Sequence, residues 1–291
     1  MIPRSFEYSA PGTLDEAVSL LQKLGPDAKI LSGGQSLIPM MKLRLASPPH
    51  IVDINCIPNL DYISEVDGTL RIGALVRESD LERSALVKSR CPILIDTTSV
   101  IADPLVRNQA TVCGNLAHGD PANDHPATML ALGAVLVAVG PKGQREIPIE
   151  EFFPALFTTA LQPDEILKEI RIPIPPPSSG GAYLKLERKV GDYATAGVAA
   201  QITLHRSGPC QRAGVGLTNV GFTPLKARQA EAFLQGKELD EATIKQAATI
   251  AAGESQPVDD IRGSAEYKRD LVRVLGARAL KLALARARGG A

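Results

Sequence analysis

The chain has no tryptophan, and only 4% of its residues are aromatic. Platforms on which nucleobases could stack are therefore scarce. It also has no excess of charge: 32 Lys and Arg balance 32 Asp and Glu. A nucleic-acid binder carries a basic bias, so that class is excluded. The same balance removes a general repulsion that would oppose self-association. No segment approaches the ~20 continuous apolar residues needed to span a bilayer. The start, Met1-Ile2-Pro3-Arg4-Ser5-Phe6-Glu7, lacks the apolar core of a secretory signal. A cytoplasmic location is the expectation, with the inner face of the cytoplasmic membrane left open. Cys56, Cys91, Cys113 and Cys210 stand apart, with no C-x-x-C pair. That spacing offers neither a zinc nor an iron–sulfur site, and most of the thiols are expected to be free and buried. Two nucleotide signatures are missing as well. No G-x-G-x-x-G follows Ile30-Leu31, and the loop after it lacks the Gly-Lys-Ser/Thr ending of a P-loop.

What is present is a pair of glycine-bearing loops, Ser32-Gly33-Gly34-Gln35-Ser36 and Thr111-Val112-Cys113-Gly114-Asn115. The first follows the strand-like run Ala28 to Leu31, and both end in polar side chains. Glycine permits φ > 0 and lets amide N–H groups turn inward together, forming a concave anion site. One such loop is weak. Two suggest a diphosphate gripped from both sides.

At 291 residues the chain should form two or three compact units. Thr13-Leu14-Asp15-Glu16 reads as a capping box, followed by Leu14, Ala17, Val18, Leu21 and Leu24 at helical spacing and Gly25 as the stop. Ala28 to Leu31 and Ile51 to Ile54 read as strands, giving a first α/β unit over 1–57. A second unit, 58–177, is expected to hold a strand over Thr69–Ala74, helices over Leu81–Leu86, Pro92–Val100 and Ala127–Leu132, a hairpin from Ala134 to Ile149 around Gly140-Pro141-Lys142-Gly143, and a strand over Ile166–Ile172. The stretch from Pro173 to Gly181 reads as the clearest boundary, because proline stiffens it and removes donors. The third unit, 178–291, places strands at Ala182–Arg188, Ala194–Leu204 and Arg212–Leu217 before helices at Lys226–Leu234, Glu241–Ala252 and Ala265–Arg288, an α+β order. The last helix carries Lys268, Arg269, Arg273, Arg278 and Lys281, with Asp270 as the nearby acid along that stretch. It is either a solvated face, with Leu271, Leu275, Ala279 and Leu282 inward, or a basic docking surface for a partner or an anionic membrane.

Taken singly, the polar candidates have ordinary explanations. Gly33-Gly34 is a turn, Asp124 a cap, Tyr193 a core tyrosine, and His118 and His125 are surface or hydrogen-bonded histidines. Their joint order carries more. The segment from Leu31 to Arg44 resembles the first flavin-binding signature of molybdenum-hydroxylase flavoproteins. Ile101 to Pro126 resembles the second, and Lys189-Val190-Gly191-Asp192-Tyr193-Ala194-Thr195-Ala196-Gly197 a third stretch. The likeness spans the chain and is nearest to the medium, FAD-binding subunits of aerobic carbon monoxide dehydrogenases, drawn that way by Gly119 to Pro126.

That resemblance implies an α+β chain: a two-subdomain FAD-binding fold of the PCMH/vanillyl-alcohol-oxidase type, then an α+β C-terminal domain. It implies FAD held by Ser32, Gly33, Gly34, Gln35, Ser36 and Leu37 on one side and by Thr111, Gly114 and Asn115 on the other. The amides of Gly33, Gly34, Gln35 and Ser36, with the Ser36 hydroxyl, would donate to one face of the diphosphate. Ile101 and Ala102 would lie against the flavin, Asp124 on the ribose–adenine side, Leu167 and Lys185 near the cofactor, and Asp192 and Tyr193 beside the isoalloxazine ring. No side chain of this chain is expected to act as a catalytic group or metal ligand, since the protein supplies orientation and electrostatics to the flavin. The implied partners are a large subunit with a molybdenum–pterin centre and a small subunit with two [2Fe–2S] clusters, assembled as a dimer of heterotrimers. The electron acceptor would be a quinone or another carrier, no NAD fingerprint being visible. Aldehyde, purine and N-heterocycle substrates remain alternatives to carbon monoxide, as does a non-catalytic FAD-binding scaffold.

Two departures stand out. Gln35 replaces the histidine of some relatives, pointing to FAD bound without a covalent link. Cys113 replaces a glycine, so either its backbone stays in the αR or β region or its side chain is small enough to be tolerated, and a thiol near flavin could be a redox liability.

Overall fold

The computed structural model describes residues 2–290; Met1 and Ala291, the outer ends of the first and third expected units, lie outside them. The strands of the described residues form three sheets. The first comprises β1 (Glu7–Ser9), β2 (Ala28–Leu31) and β3 (His50–Asp53), all parallel with β3 central. Helix α1 (Leu14–Leu24) buries Ala17, Val18 and Leu21 against it. Thr13 Oγ1 accepts the Glu16 N–H at 3.2 Å, as a capping box requires. The Glu16 carboxylate, however, takes the N–H of Gly12, one residue earlier than the reciprocal partner. The short α2 (Leu37–Lys42) follows the first glycine loop.

The second sheet is antiparallel in the order β4-β5-β8-β6-β7, from β4 (Ile63–Val66), β5 (Thr69–Gly73), β6 (Val135–Gly140), β7 (Gly143–Pro148) and β8 (Ile166–Pro173). Six helices lie between β5 and β6: α3 (Glu78–Arg83), α4 (Ala85–Arg90), α5 (Ile93–Ser99), α6 (Pro104–Arg107), α7 (Val112–Ala117) and α8 (His125–Leu132). The helix expected over Leu81–Leu86 is broken at Ser84, which turns extended (ψ 115°) and caps α4 by accepting the Val87 N–H. A serine hydroxyl that competes for backbone donors ends one helix and starts the next.

The third sheet, in the order β12-β11-β10-β9, is built from β9 (Ser179–Leu186), β10 (Ala196–Leu204), β11 (Cys210–Thr218) and the two-residue β12 (Leu225–Lys226). Helices α9 (Arg228–Leu234), α10 (Glu241–Glu254) and α11 (Ala265–Ala287) complete this part, with α11 packed on β9 and β10. Gly180 and Gly181, expected in a linker, are strand residues. A Cβ on Gly180 would collide with the Ala283 carbonyl of α11, so glycine sets the helix-to-strand distance. The opposite face of the sheet receives α8, every residue of which is buried. Cβ atoms at Gly214 and Gly216 would strike the Ala131 and Ala127 carbonyls of α8. These close approaches join the second and third sheets into one body of packing.

Of the α11 cations, Arg269, Arg273, Arg278 and Lys281 are exposed, as a solvated face requires, while Lys268, Arg273, Lys281 and Arg286 are paired. Lys268 is buried, donating to the Val258 carbonyl at 3.1 Å and pairing with Asp260 at 2.7 Å. Arg273 pairs with Asp270, Lys281 with Glu241 of α10, and Arg286 with Asp96 of α5. Asp260, Glu241 and Asp96 fold onto the helix from outside it, whereas Asp270 is a residue of α11 itself. Among the described residues no helix is long and apolar enough to cross a membrane. All four thiols are free, and Cys91, Cys113 and Cys210 are buried, whereas Cys56 is exposed.

Candidate functional site

The two glycine loops meet. β2 runs into the first, where Gly33 (φ +70°) and Gly34 (φ +82°) turn the chain into α2. The second segment, expected as a loop, is the N-cap (Thr111) and first turn of α7, so Gly114 is a helical residue. The Ser32 and Thr111 hydroxyls lie 3.0 Å apart. A Cβ on Gly33 would sit 2.5 Å from the Gln109 carbonyl oxygen, so the loops touch backbone to backbone. Asn55, just after β3, accepts the Gly33 N–H at 3.0 Å and Arg77 Nη2 at 2.9 Å through Oδ1. Arg77 also donates to the Gln109 carbonyl. Asn55 and Arg77 therefore clasp the loops. Sequence reasoning missed both; a polar residue at a strand's C-terminal edge is the only signal Asn55 offers, and Arg77 offers none.

The amides divide differently from expectation. Gly33 N–H is spent on Asn55 and Gly34 N–H on the Ser32 carbonyl at 2.7 Å. The N–H groups of Gln35, Ser36 and Leu37 make no backbone or side-chain bond among the described residues. The Ser36 hydroxyl makes no capping bond either. In the second loop, Gly114 N–H goes to Thr111 Oγ1 at 3.2 Å and Asn115 N–H to the Thr111 carbonyl at 2.9 Å. The Asn115 side-chain Oδ1 is buried without a partner.

These groups open onto a cavity of about 1100 Å³. Of the residues that the resemblance implies, all but Gly33 and Lys185 line it. That volume lies just above the ~300–1,000 Å³ typical of ligand pockets. It suits a long, two-part ligand. The unpaired amides of the first loop and a free serine hydroxyl are donors that a diphosphate would satisfy, and the orphaned Asn115 Oδ1, an acceptor, would take a hydroxyl or amine donor of the same dinucleotide. The residues fit FAD on these observations.

Another part of the cavity wall, next to Asn123, whose side chain donates to the Asn115 carbonyl at 2.8 Å, is charged and tightly bonded. Asp124 accepts the Tyr183 hydroxyl at 2.5 Å and Lys185 Nζ at 3.0 Å. Burial pushes the Asp124 carboxyl up, against the pull of Lys185, and pushes the Tyr183 hydroxyl well up. Lys185, off the cavity wall, also donates to the Val100 carbonyl at 2.7 Å and the Asp192 carbonyl at 3.2 Å. So Asp124 and Asp192, expected at different ends of the cofactor, share one lysine. Tyr183, another residue the sequence reading passed over, completes that network. The Ile101 carbonyl accepts Arg107 Nη1 at 2.9 Å, and Ala102 is held at φ +47° with Gly191 packed on it. An alanine in the left-handed region stores strain at the cavity wall.

Asp192 is gripped by Arg262 and Arg188, each at 3.0 Å, and by the Tyr193 N–H at 2.8 Å. Arg262 above all holds its carboxyl down at about 2. Tyr193 is 43% exposed, not a core residue. His125 is fully buried and bonded to Glu78 at 2.7 Å, and burial lowers the His118 imidazole. Among the described residues no group of His, Cys, Asp or Glu could hold a metal. Cys113 has helical backbone within α7, resolving the first of the two alternatives. Its sulfur faces the Ile72 and Gly73 carbonyls at 3.9 and 3.6 Å, and burial drives the thiol far above its ordinary value. Burial holds the thiol protonated, although Cys113 lines the same cavity.

Comparison with known proteins agrees with this geometry. Residues 4–175 match the family described as the FAD binding domain in molybdopterin dehydrogenase, and residues 181–283 the CO dehydrogenase flavoprotein C-terminal domain. The chain is 45% identical to the carbon monoxide dehydrogenase medium chain of Hydrogenophaga pseudoflava, over 98% of this chain and 99% of that one. It is 38% identical to the 6-hydroxypseudooxynicotine dehydrogenase complex subunit alpha of Paenarthrobacter nicotinovorans, covering 99% and 97%. Its backbone superimposes on a solved carbon monoxide dehydrogenase from Hydrogenophaga pseudoflava with a TM-score of 0.96 at 46% identity, covering 98% of this chain and 99% of that one. The clasped loops, the cavity they wall and these full-length matches together make the chain a member of the FAD-binding, medium-subunit family of molybdenum hydroxylases.

Proposed function

We propose that this chain is the FAD-carrying electron-transfer subunit of a carbon monoxide dehydrogenase, working with a large molybdenum–pterin subunit and a small [2Fe–2S] subunit in a dimer of heterotrimers. The carrying observation is the pair of loops clasped by Ser32, Thr111, Asn55 and Arg77 around unpaired amides. Bound FAD supplies the redox chemistry, accepting electrons from the partner's clusters and yielding them to a quinone or another carrier. The amides of Gln35, Ser36 and Leu37 and the Ser36 hydroxyl hold one face of the diphosphate. Thr111, Gly114 and Asn115 wall the other side by close contact, the Gly114 and Asn115 N–H groups being spent on Thr111, while Asn115 Oδ1 takes a hydroxyl or amine donor of the cofactor. Leu167 and Ile101 supply apolar wall, and Lys185 fixes Asp124 and the Asp192 backbone so that the wall keeps one shape. Asp192 and Tyr193 border the ring. With Gln35 in the first loop, attachment is non-covalent. The units 1–57 and 58–177 form the two FAD subdomains and 178–291 the C-terminal domain, in a cytoplasmic protein.

The test is co-expression with the large and small chains. Flavin extracted from the complex should be FAD, and carbon monoxide should reduce an artificial acceptor. FMN or no flavin would overturn the site. Turnover of an aldehyde, purine or N-heterocycle in place of carbon monoxide would move the chain to a sister enzyme without changing its role. Substrate turnover by this chain alone would overturn the subunit assignment.

A further inference from the structure

Arg262 does not line the cavity, yet everything around it is built to aim it. It lies in the turn before α11. Buried Lys268 of α11 pairs with Asp260 Oδ2 at 2.7 Å, and Asp260 Oδ1 accepts the N–H groups of Arg262 at 2.8 Å and Gly263 at 3.2 Å. A buried cation thus fixes the turn, and the turn fixes the arginine. From there Nη2 reaches Asp192 Oδ1 at 3.0 Å, and the guanidinium carbon stands 5.6 Å from the Tyr193 ring centroid, within cation–π range. Nε is buried and has no partner. Leaving a guanidinium N–H unpaired costs free energy, so the arrangement serves the grip on Asp192 and Tyr193.

We propose that Arg262 is a positioning residue that fixes Asp192 and Tyr193 at the ring end of the cavity and, by neutralising Asp192, raises the reduction potential of bound FAD. The inference rests on the FAD reading above. Reduction places two electrons and one proton on the ring, which gains a negative charge. A bare carboxylate nearby opposes that gain, and a paired one opposes it less. Arg188 grips the other Asp192 oxygen, but its side chain is 48% exposed and its charge is screened by water.

The experiment is a spectroelectrochemical titration of FAD in the assembled complex, with the electrode supplying the electrons. Arg262→Gln should shift the two-electron equilibrium toward oxidised FAD by roughly tenfold, about 30 mV lower. Arg262→Lys keeps the charge and should stay within about threefold of the parent. Asp192→Asn should move the potential upward, and the Arg262→Gln/Asp192→Asn pair should return near the parent. A residue that merely braced the fold would lower FAD content without this ordering by charge. An Arg262→Gln potential unchanged from the parent, or an Asp192→Asn shift downward, overturns the inference while leaving the cofactor reading intact. A parent complex without FAD overturns both.

Discussion

Replacing Gly33 by alanine adds one methyl carbon where the two loops touch. The position has φ +70°, which costs an L-residue ~1–2 kcal/mol. The new Cβ would stand 2.5 Å from the Gln109 carbonyl oxygen, 3.1 Å from Thr111 N and 3.2 Å from Ala110 Cα, all backbone atoms. Gln109 cannot yield freely, because Arg77 donates to the same carbonyl. The loops must part, stretching the Ser32–Thr111 and Gly33–Asn55 bonds, each worth ~0.5–1.5 kcal/mol. The sum is ~2–5 kcal/mol. Gly25 provides the control: its φ is +75° and nothing lies within 4 Å of a Cβ there. Gly25→Ala therefore costs only the backbone term, ~1–3 kcal/mol, its ψ of −168° lying in a region essentially confined to glycine. The excess at Gly33, ~1–3 kcal/mol, falls on the loops that hold the cofactor, so FAD affinity should drop by roughly 10- to 100-fold. The assay is FAD content of the assembled complex and flavin titration of its apo form, for both variants. Equal FAD affinity in Gly33→Ala and Gly25→Ala would refute the reasoning.

Three further outcomes are expected. Arg77→Ala removes the clasp from Asn55 and Gln109, two charge-assisted bonds worth ~1.5–3 kcal/mol each, and should weaken FAD binding tenfold or more by the same titration; parental affinity would refute the clasp. Lys268→Glu buries an unpaired charge beside Asp260, so it should destabilise the fold by ~3–5 kcal/mol, whereas exposed Arg278→Glu should stay within ~0.5 kcal/mol; chemical denaturation of both decides it. Asp192, whose carboxyl Arg262 holds down at about 2, contributes stability that is complete above its unfolded value of ~3.9 and fades as pH falls toward about 2. The melting-temperature gap between the parent and Asp192→Asn should thus be constant above about pH 5 and close in strong acid; a gap that widens on acidification contradicts the pairing.

Much of the fold was legible because it is local. Ala28–Leu31 and Ile166–Ile172 read as strands from their apolar residues, and both are strands. Thr13 and Gly25 mark the ends of α1 as their side chains, or lack of one, require. The first glycine loop stood out for the same reason, Gly33 and Gly34 at φ > 0 being a property of each residue and its neighbours, whereas Gly114 proved to be a helical residue of α7. Ser84 was missed although its effect is local, because a serine between Arg83 and Ala85 signals nothing until its hydroxyl finds a donor.

The remainder depends on residues brought together from far apart. Gly180, Gly214 and Gly216 read as ordinary strand or linker glycines until α8 and α11 are seen resting on their Cα atoms. Lys268 reads as a solvent-facing cation until Asp260 closes over it. Asn55, Arg77 and Arg262 carry no motif at all. Each earns its role from a partner 22, 32 or 70 residues away. Backbone conformation is set by near neighbours, so a chain announces its turns, caps and strands. Charge neutralisation and close packing are set by whatever the folded chain brings within a few ångströms, and spacing along the chain carries no record of that.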